Sequence, residues 1–200
     1  MSQAIPISIA VEGVADEAVA LRLIAHGGGQ PGTVYGKQGK PKLRQRINGY
    51  ASAALYSPWF VLVDLDHDAD CAPLLRNGWV PQVPPQLCFR VAVRAVETWL
   101  IADSERMAAF IGLSRGKIPD APEALEDPKR ALVDLARQSR KSAIRMDMVP
   151  RDGSGRPIGP AYTSRLIEFA TSHWSPDAAS LRSESLRRAI ACLHRLLVAA

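Results

Sequence analysis

Apolar positions along the chain switch between two periods, and the switches mark the elements. Ile5 to Val11 forms a short apolar run that reads as a strand. From Gly13 to Ala25 the spacing of Val14, Ala18, Leu21 and Ile24 is helical, and Asp16 and Glu17 in the first turn suit the positive end of a helix dipole. After the Gly27-Gly28-Gly29 run and Pro31-Gly32, a short strand is expected near Thr33-Val34-Tyr35. Leu43, Ile47, Tyr50, Ala51, Ala54 and Leu55 then define an amphipathic helix from Pro41 to about Tyr56. Trp59 to Asp64 is almost continuously apolar, the pattern of a central parallel strand buried on both faces. A short helix is predicted from Cys71 to Arg76, ended by Asn77-Gly78. A fourth strand follows, with Leu87, Phe89, Val91 and Val93 alternating with Cys88, Arg90 and Arg94, and then a helix over Val96 to Ala102. This β-α-β-α-β-α-β order predicts an α/β, Rossmann-like fold: a mostly parallel sheet of about four strands flanked by helices.

After Asp103 the pattern becomes helices separated by Pro- and Gly-containing loops. One is expected from Ser104 to Ile111, one from Asp127-Pro128 through Leu135, one from Tyr162 to His173, and a last one along Leu186, Ile190, Leu193 and Leu197. Met148 to Pro160 reads as a long loop. The expected organisation is a metal-binding α/β domain over residues 1–103 with a helical C-terminal region, 104–200, packed on it.

Composition changes this picture little. The chain of 200 residues has the apolar and charged balance of an ordinary globular protein. With no signal-peptide pattern and no membrane-length apolar stretch, a cytoplasmic protein with no membrane partner is expected. Cys71, Cys88 and Cys192 are odd in number and scattered, which predicts reduced, mostly buried thiols. Charge is more informative. No acidic residue lies between Glu17 and Asp64, whereas Arg22, Lys37, Lys40, Lys42, Arg44 and Arg46 all do. Arg140, Lys141, Arg145, Arg151 and Arg156 form a second basic stretch. Such patches favour a polyanionic partner, although a solvated basic surface has the same pattern.

The chemistry concentrates where strands end in carboxylates. Val11-Glu12-Gly13 closes the first strand, and Val63-Asp64-Leu65-Asp66-His67-Asp68 closes the third. Like charges about 4 Å apart repel by roughly 4 kcal/mol at an effective dielectric near 20, so either a hard cation or a retained proton must offset the cost. In open α/β sheets ligands collect at the carboxyl ends of strands where the strand order reverses, and Glu12 and Asp64 meet there if their strands are neighbours. Asp66 projects to the same side if the extended conformation persists. An EF-hand is excluded, because its sixth and twelfth positions would be Ala69 and Leu75 rather than glycine and glutamate. A haloacid-dehalogenase-like phosphatase would carry its paired aspartates on the first strand, with a later aspartate pair that this chain lacks.

Glu-Gly after the first strand and Asp-x-Asp after the third resemble the Toprim domain of topoisomerases, primases and overcoming-lysogenization-defect nucleases. Glu97-Thr98-Trp99-Leu100-Ile101-Ala102-Asp103 resembles the Glu-x-Trp-Leu-x-Ala-Asp signature of an uncharacterised bacterial Toprim-like family. The resemblance covers roughly residues 1–103 and, for the smaller family, nearly the whole chain. It implies Mg²⁺ or Mn²⁺ held among Glu12, Asp16, Asp64, Asp66, Asp68 and Glu97, with Glu12, Asp64 and Asp66 as the catalytic set. The plainer alternatives are a solvated Asp-rich loop, a dipole-favoured Asp16 and a Glu97 paired with Arg94. Lys37, Lys40, Lys42 and Arg44 are the candidate nucleic-acid contacts. The implied activity is metal-dependent nuclease action on DNA or RNA, in phage defence and alongside an ATPase partner as related families imply. A non-catalytic nucleic-acid- or protein-binding module and a small-molecule phosphohydrolase are the other readings.

Overall fold

Strands β1 (Ile7–Val11), β2 (Pro31–Gly36), β3 (Trp59–Asp64) and β4 (Leu87–Ala92) form one parallel sheet in the order β2-β1-β3-β4. The computed structural model describes residues 5–199. Helices α1 (Val14–His26), α2 (Lys40–Ala53), α3 (Ala72–Trp79) and α4 (Val96–Ala102) follow the four strands in turn, as the alternating pattern predicts. The strand order reverses between β1 and β3. Their register pairs Val11 with Leu62, so its continuation sets Asp64 beside Gly13.

Each sheet face is covered because each strand alternates between two apolar partners. On one face Val61, Val63, Phe89 and Val91 pack with Leu43 and Ile47 of α2 and with Leu75 and Trp79 of α3. On the other, Ile9, Val11, Phe60 and Leu62 join the core that contains α1 and α4. All six residues of β3 are buried, as its unbroken apolar run requires. The stop expected at Asn77-Gly78 is overridden, and α3 runs on to Trp79. Trp79 packs on Phe89 with ring centroids 5.9 Å apart, and this contact outweighs a helical glycine's cost of about 1 kcal/mol. Val14, expected to face the core, is exposed, while Val19, Ala20 and Leu23 of the same helix are buried.

The C-terminal half comprises α5 (Ser104–Ile111), α6 (Pro128–Arg137), α7 (Ser142–Met148), α8 (Tyr162–Ser172), α9 (Pro176–Ser180) and α10 (Glu184–Ala199). Helices α7 and α9 are too short to show a periodic face in the sequence, and the long loop is confirmed between α7 and α8. These helices extend the α1/α4 core. Trp99 and Trp174 are both fully buried, Trp174 Nε1 donates to the Trp99 carbonyl at 3.1 Å, and Trp99 Nε1 donates to Ser185 Oγ at 2.6 Å. The expectation of free thiols is corrected: Cys88 on β4 and Cys192 on α10 form a disulfide with Cα atoms 5.9 Å apart, and Cys71 is a free, exposed cysteine. The 104-residue separation of the pair hid it from sequence spacing. Among the described residues no helix is long and apolar enough to cross a membrane.

One core shared by sheet and C-terminal helices should unfold as one unit. Far-UV circular dichroism and tryptophan fluorescence are expected to report coincident urea transitions, and Trp99→Ala to lower stability by about 3–5 kcal/mol.

Candidate functional site

Three backbone devices build the carboxyl end of the sheet. After β2 the chain folds over the end of β1: Lys37 N donates to the Val11 carbonyl at 2.9 Å and Gly39 N to the Glu12 carbonyl at 3.0 Å. Gly36 (φ 89°) makes this possible, since a Cβ there would collide with the Val11 carbonyl oxygen. The same loop starts α2 at Lys40. At the ends of β3 and β4, Asp66 (φ 48°) and Arg94 (φ 63°) both take the left-handed conformation. They hold one another: Asp66 N donates to the Arg94 carbonyl at 2.8 Å, and Arg94 Nη1 donates to the Asp66 carbonyl at 2.9 Å. Together with Lys37 (φ 62°), the three positive-φ residues other than glycine among the described residues all follow strand ends, and strained backbone is commonly found at functional sites.

The left-handed turn at Asp66 divides the predicted carboxylate set in two. Extended backbone would have kept Asp66 on the side of Asp64; instead Asp66 turns outward, where Lys40 Nζ donates to Asp66 at 2.6 Å and to Asp68 at 2.8 Å. Glu12 lies 4.0 Å from the same ammonium. The other set is buried. Asp64 Oδ1 accepts from Val96 N at 2.9 Å, Asp16 Oδ2 from Gly13 N at 2.7 Å, and Glu97 Oε1 from the Tyr162 hydroxyl at 3.4 Å. Glu12 joins the two sets, because its Oε1 accepts from Asp64 N at 2.8 Å. Glu97 does not pair with Arg94, whose guanidinium meets Asp66 and His67.

Burial raises the carboxylates' pKa values, and proximity to one another raises several further. Glu12 moves from 4.5 to about 7 through burial, partly countered by the Asp64 N–H bond and the Lys40 charge. Asp16 moves from 3.8 to about 6 through burial, countered by its bond to Gly13 and raised by Glu97. Asp64 is held well above the carboxylate range by burial and by Asp16, Glu97 and Glu12, and Glu97 is raised by burial against the pull of Lys129.

Asp16, Asp64 and Glu97 line one wall of a cavity of about 740 Å³. The C-terminal half contributes Lys129, Arg130, Asp134 and Arg137 on α6, with Asp134 lying 3.9 Å from Arg130 and 3.0 Å from Arg137, as well as Arg156 in the long loop and Tyr162 on α8. The sequence reading missed Lys129 and Tyr162 as site residues. One signal was available: Lys129 lies in the first turn of α6, where a cation opposes the helix dipole and needs another partner. Burial alone would lower the Lys129 pKa, yet Glu97, Asp64, Asp66 and Asp16 raise it.

The four residues expected to contact nucleic acid are mostly committed within the protein. Lys37 pairs with Glu17 at 3.2 Å, Lys40 with Asp66 and Asp68, and Lys42 Nζ donates to Gln45 at 3.3 Å. The Arg44 guanidinium sits 5.7 Å above the Trp79 ring. The basic side chains that share a cavity with the buried carboxylates are those of the C-terminal half.

The donor set of this cavity is all oxygen, the preference of Mg²⁺ and Mn²⁺. Glu97 Oε2 is buried without a hydrogen-bond partner among the described residues, so one carboxylate oxygen could accept a further contact. Among the described residues no three His, Cys, Asp or Glu side chains converge as a ready-made metal cage.

The raised carboxylates set a pH dependence. Glu12 binds its proton more tightly folded than unfolded, so its contribution to stability is present in full below about pH 4.5 and is lost as pH rises through about 7. In chelator, wild type is expected to lose on the order of 3 kcal/mol relative to Glu12→Gln across that window, read from urea midpoints. Parallel profiles for the two proteins would contradict this assignment.

Comparison with protein-family models, curated proteins and solved structures finds no match, so geometry and chemistry carry the functional reading.

Proposed function

We propose that the protein is a divalent-metal-dependent phosphodiesterase acting on nucleic acid, with Mg²⁺ or Mn²⁺ as cofactor. One observation carries the reading: buried Asp16, Asp64 and Glu97 share a cavity with Lys129, Arg130, Arg137 and Arg156. The buried carboxylates suit a cation, and Lys129 and Arg156, which are not tied to Asp134 as Arg130 and Arg137 are, suit the phosphate that the cation would polarise. The Toprim resemblance of Glu12-Gly13, Asp64-x-Asp66 and the Glu97–Asp103 segment points the same way.

Asp64 and Glu97 are the first choice of ligands: Val96 N fixes the orientation of Asp64, and Glu97 has the spare oxygen. Asp16 completes the acidic wall. Glu12 acts through Asp64, whose N–H it holds, and Asp66 and Asp68 tie down Lys40. Lys129 stands where it can neutralise a phosphate oxygen, and the arginines extend that field along the cavity. A bound cation would supply Lewis acidity and lower the pKa of an attacking water. No nucleophilic side chain is required, and Tyr35, stacked on Trp59 with centroids 5.1 Å apart, belongs to the α2 side of the sheet.

A cavity of about 740 Å³ lies within the usual range for small-molecule sites, which favours small phosphate esters as the second reading. Cleavage of labelled single- and double-stranded DNA and RNA, with Mg²⁺, Mn²⁺ or chelator, separates the two. Metal-dependent cleavage is expected, reduced at least ~10³-fold in Asp64→Asn and ~10²-fold in Lys129→Met, both with retained fold. Turnover of p-nitrophenyl phosphate esters with intact oligonucleotides would establish the second reading. Absence of Mg²⁺ and Mn²⁺ binding to wild type would sink both.

A further inference from the structure

A second cavity, of about 410 Å³, opens at the outer edge of β4 and shares no lining residue with the carboxylate site. β4 is the last strand of the sheet, so no strand covers that edge. The cavity lies between the start of α3 and the start of α10. Leu65, Ala72, Pro73, Val91 and Val93 make apolar walls, and Arg76, Arg90 and Arg188 supply guanidinium groups.

Arg90 is the anomaly. It projects from a sheet strand, its Nε is buried, and that nitrogen has no acceptor among the described residues. A buried guanidinium nitrogen left unpaired is costly, and an acceptor from outside the protein, a water or a ligand, would relieve that cost. Burial first, and then the neighbouring cations Arg188, Arg195 and Arg76, lower its pKa from 12.5 to about 10. The acids at the cavity do not relieve it. Glu123 Oε1 accepts from Ser183 Oγ, Ser185 N and Ser185 Oγ at 2.6, 2.9 and 2.6 Å, while Glu184 is paired with Arg187 and Arg188. Asp70 stands exposed on the lip. Arg76 donates to Asn77 Oδ1 and Arg188 to Glu184 Oε1, so the unmet need is that of Arg90, and a compact anion with acceptor oxygens would meet it. The apolar walls and small volume describe the remainder of that ligand as an organic group of nucleotide size or less.

We propose that this cavity binds the phosphate of a small phosphorylated molecule, with Arg90 as its central contact and Arg188 and Arg76 at the rim. The site is independent of the proposed phosphodiesterase chemistry and stands or falls separately from it. Guanidinium is the side chain best matched to phosphate because its planar fork donates two parallel hydrogen bonds.

Cys71 gives the site a reporter, since it is free, exposed and part of the cavity lining, whereas Cys88 and Cys192 are paired. The experiment is calorimetric titration of the full chain with inorganic phosphate, AMP, adenosine and an oligonucleotide lacking terminal phosphates. Alkylation of Cys71 is followed in parallel. AMP is expected to bind saturably at one site, more tightly than phosphate, and to slow Cys71 alkylation at least ~5-fold. Arg90→Leu should weaken AMP at least ~10-fold and abolish the protection. Asp64→Asn should change neither. If Arg90→Leu does not fold, Arg188→Gln and Arg76→Gln serve at the rim, each expected to weaken AMP ~3-fold or more. The proposal is overturned if phosphate and AMP do not bind saturably, if adenosine binds as well as AMP, or if the folded arginine variants bind AMP unchanged. It is likewise overturned if only the oligonucleotide binds, because the edge would then be a surface for chain phosphates.

Discussion

Two hydrogen bonds run through Asp64 and govern the carboxyl end of the sheet: Asp64 N donates to Glu12 at 2.8 Å, and Asp64 Oδ1 accepts from Val96 N at 2.9 Å. They tie the end of β1 to the end of β3, and β3 to the start of α4, at the point where the strand order reverses. They also fix a buried carboxylate beside Asp16, Glu97 and Glu12, so the repulsion among these groups becomes a constraint on everything around them. Two lysines answer it from outside the sheet. Lys40 arrives on the loop that folds over β1, and Lys129 on the first turn of α6. Both pKa values are raised although burial alone would lower them, that of Lys40 by its hydrogen bonds to Asp66 and Asp68 and that of Lys129 by the charges of Glu97, Asp64, Asp66 and Asp16.

What could be read from sequence divides along the range of the interactions involved. The strands and the first four helices follow from local periodicity, and β3 and α4 match their predicted bounds because each is apolar and sharply punctuated. Asp66 was misplaced because one residue's φ decides which way its carboxylate points, and an aspartate after a strand gives no sign of turning left-handed. Lys40 has the sequence appearance of a free basic loop; its partners are 26 and 28 residues away. Lys129 and Tyr162 reach the site only through the packing of α6 and α8, which no periodicity encodes. The general location of the candidate site was legible, since strand ends are local features, while the division of the carboxylates into two sets was not.

The C-terminal helices are part of the site as well as of the core. Glu123 binds Ser183 and Ser185 at the start of α10, Ser185 Oγ accepts from Trp99 Nε1, and Trp99 is two residues beyond Glu97 on α4. A chain of buried and half-buried hydrogen bonds thus runs from the C-terminal half to the helix that carries a site carboxylate. Tyr162 reaches Glu97 directly. Buried networks of this kind, when satisfied, specify one arrangement, because each member left unpaired would carry a desolvation cost. The position of Glu97 therefore depends on residues from Glu123 onward as much as on the sheet.

The two lysines neutralise their carboxylates unequally, and this difference bears on where an added cation would act. Lys40 makes direct, short hydrogen bonds to Asp66 and Asp68, whose side chains are 49% and 47% exposed, so water and the ammonium already satisfy that group. Lys129 acts on Asp16, Asp64 and Glu97 through its charge and has no side-chain hydrogen bond to them among the described residues, while Glu97 Oε2 remains buried and unpartnered. Water cannot screen this second group equally well, because its members are almost wholly buried. Burial and mutual repulsion both favour the protonated form of these carboxylates, so their pKa values are raised. A divalent cation in the cavity would replace those protons with greater charge and would face the arginines of α6 and the long loop across the same space. Burial without a direct cationic partner is thus what separates the Asp16, Asp64 and Glu97 group from the exposed Asp-rich loop, and it is the reason the proposal places the cation with the former.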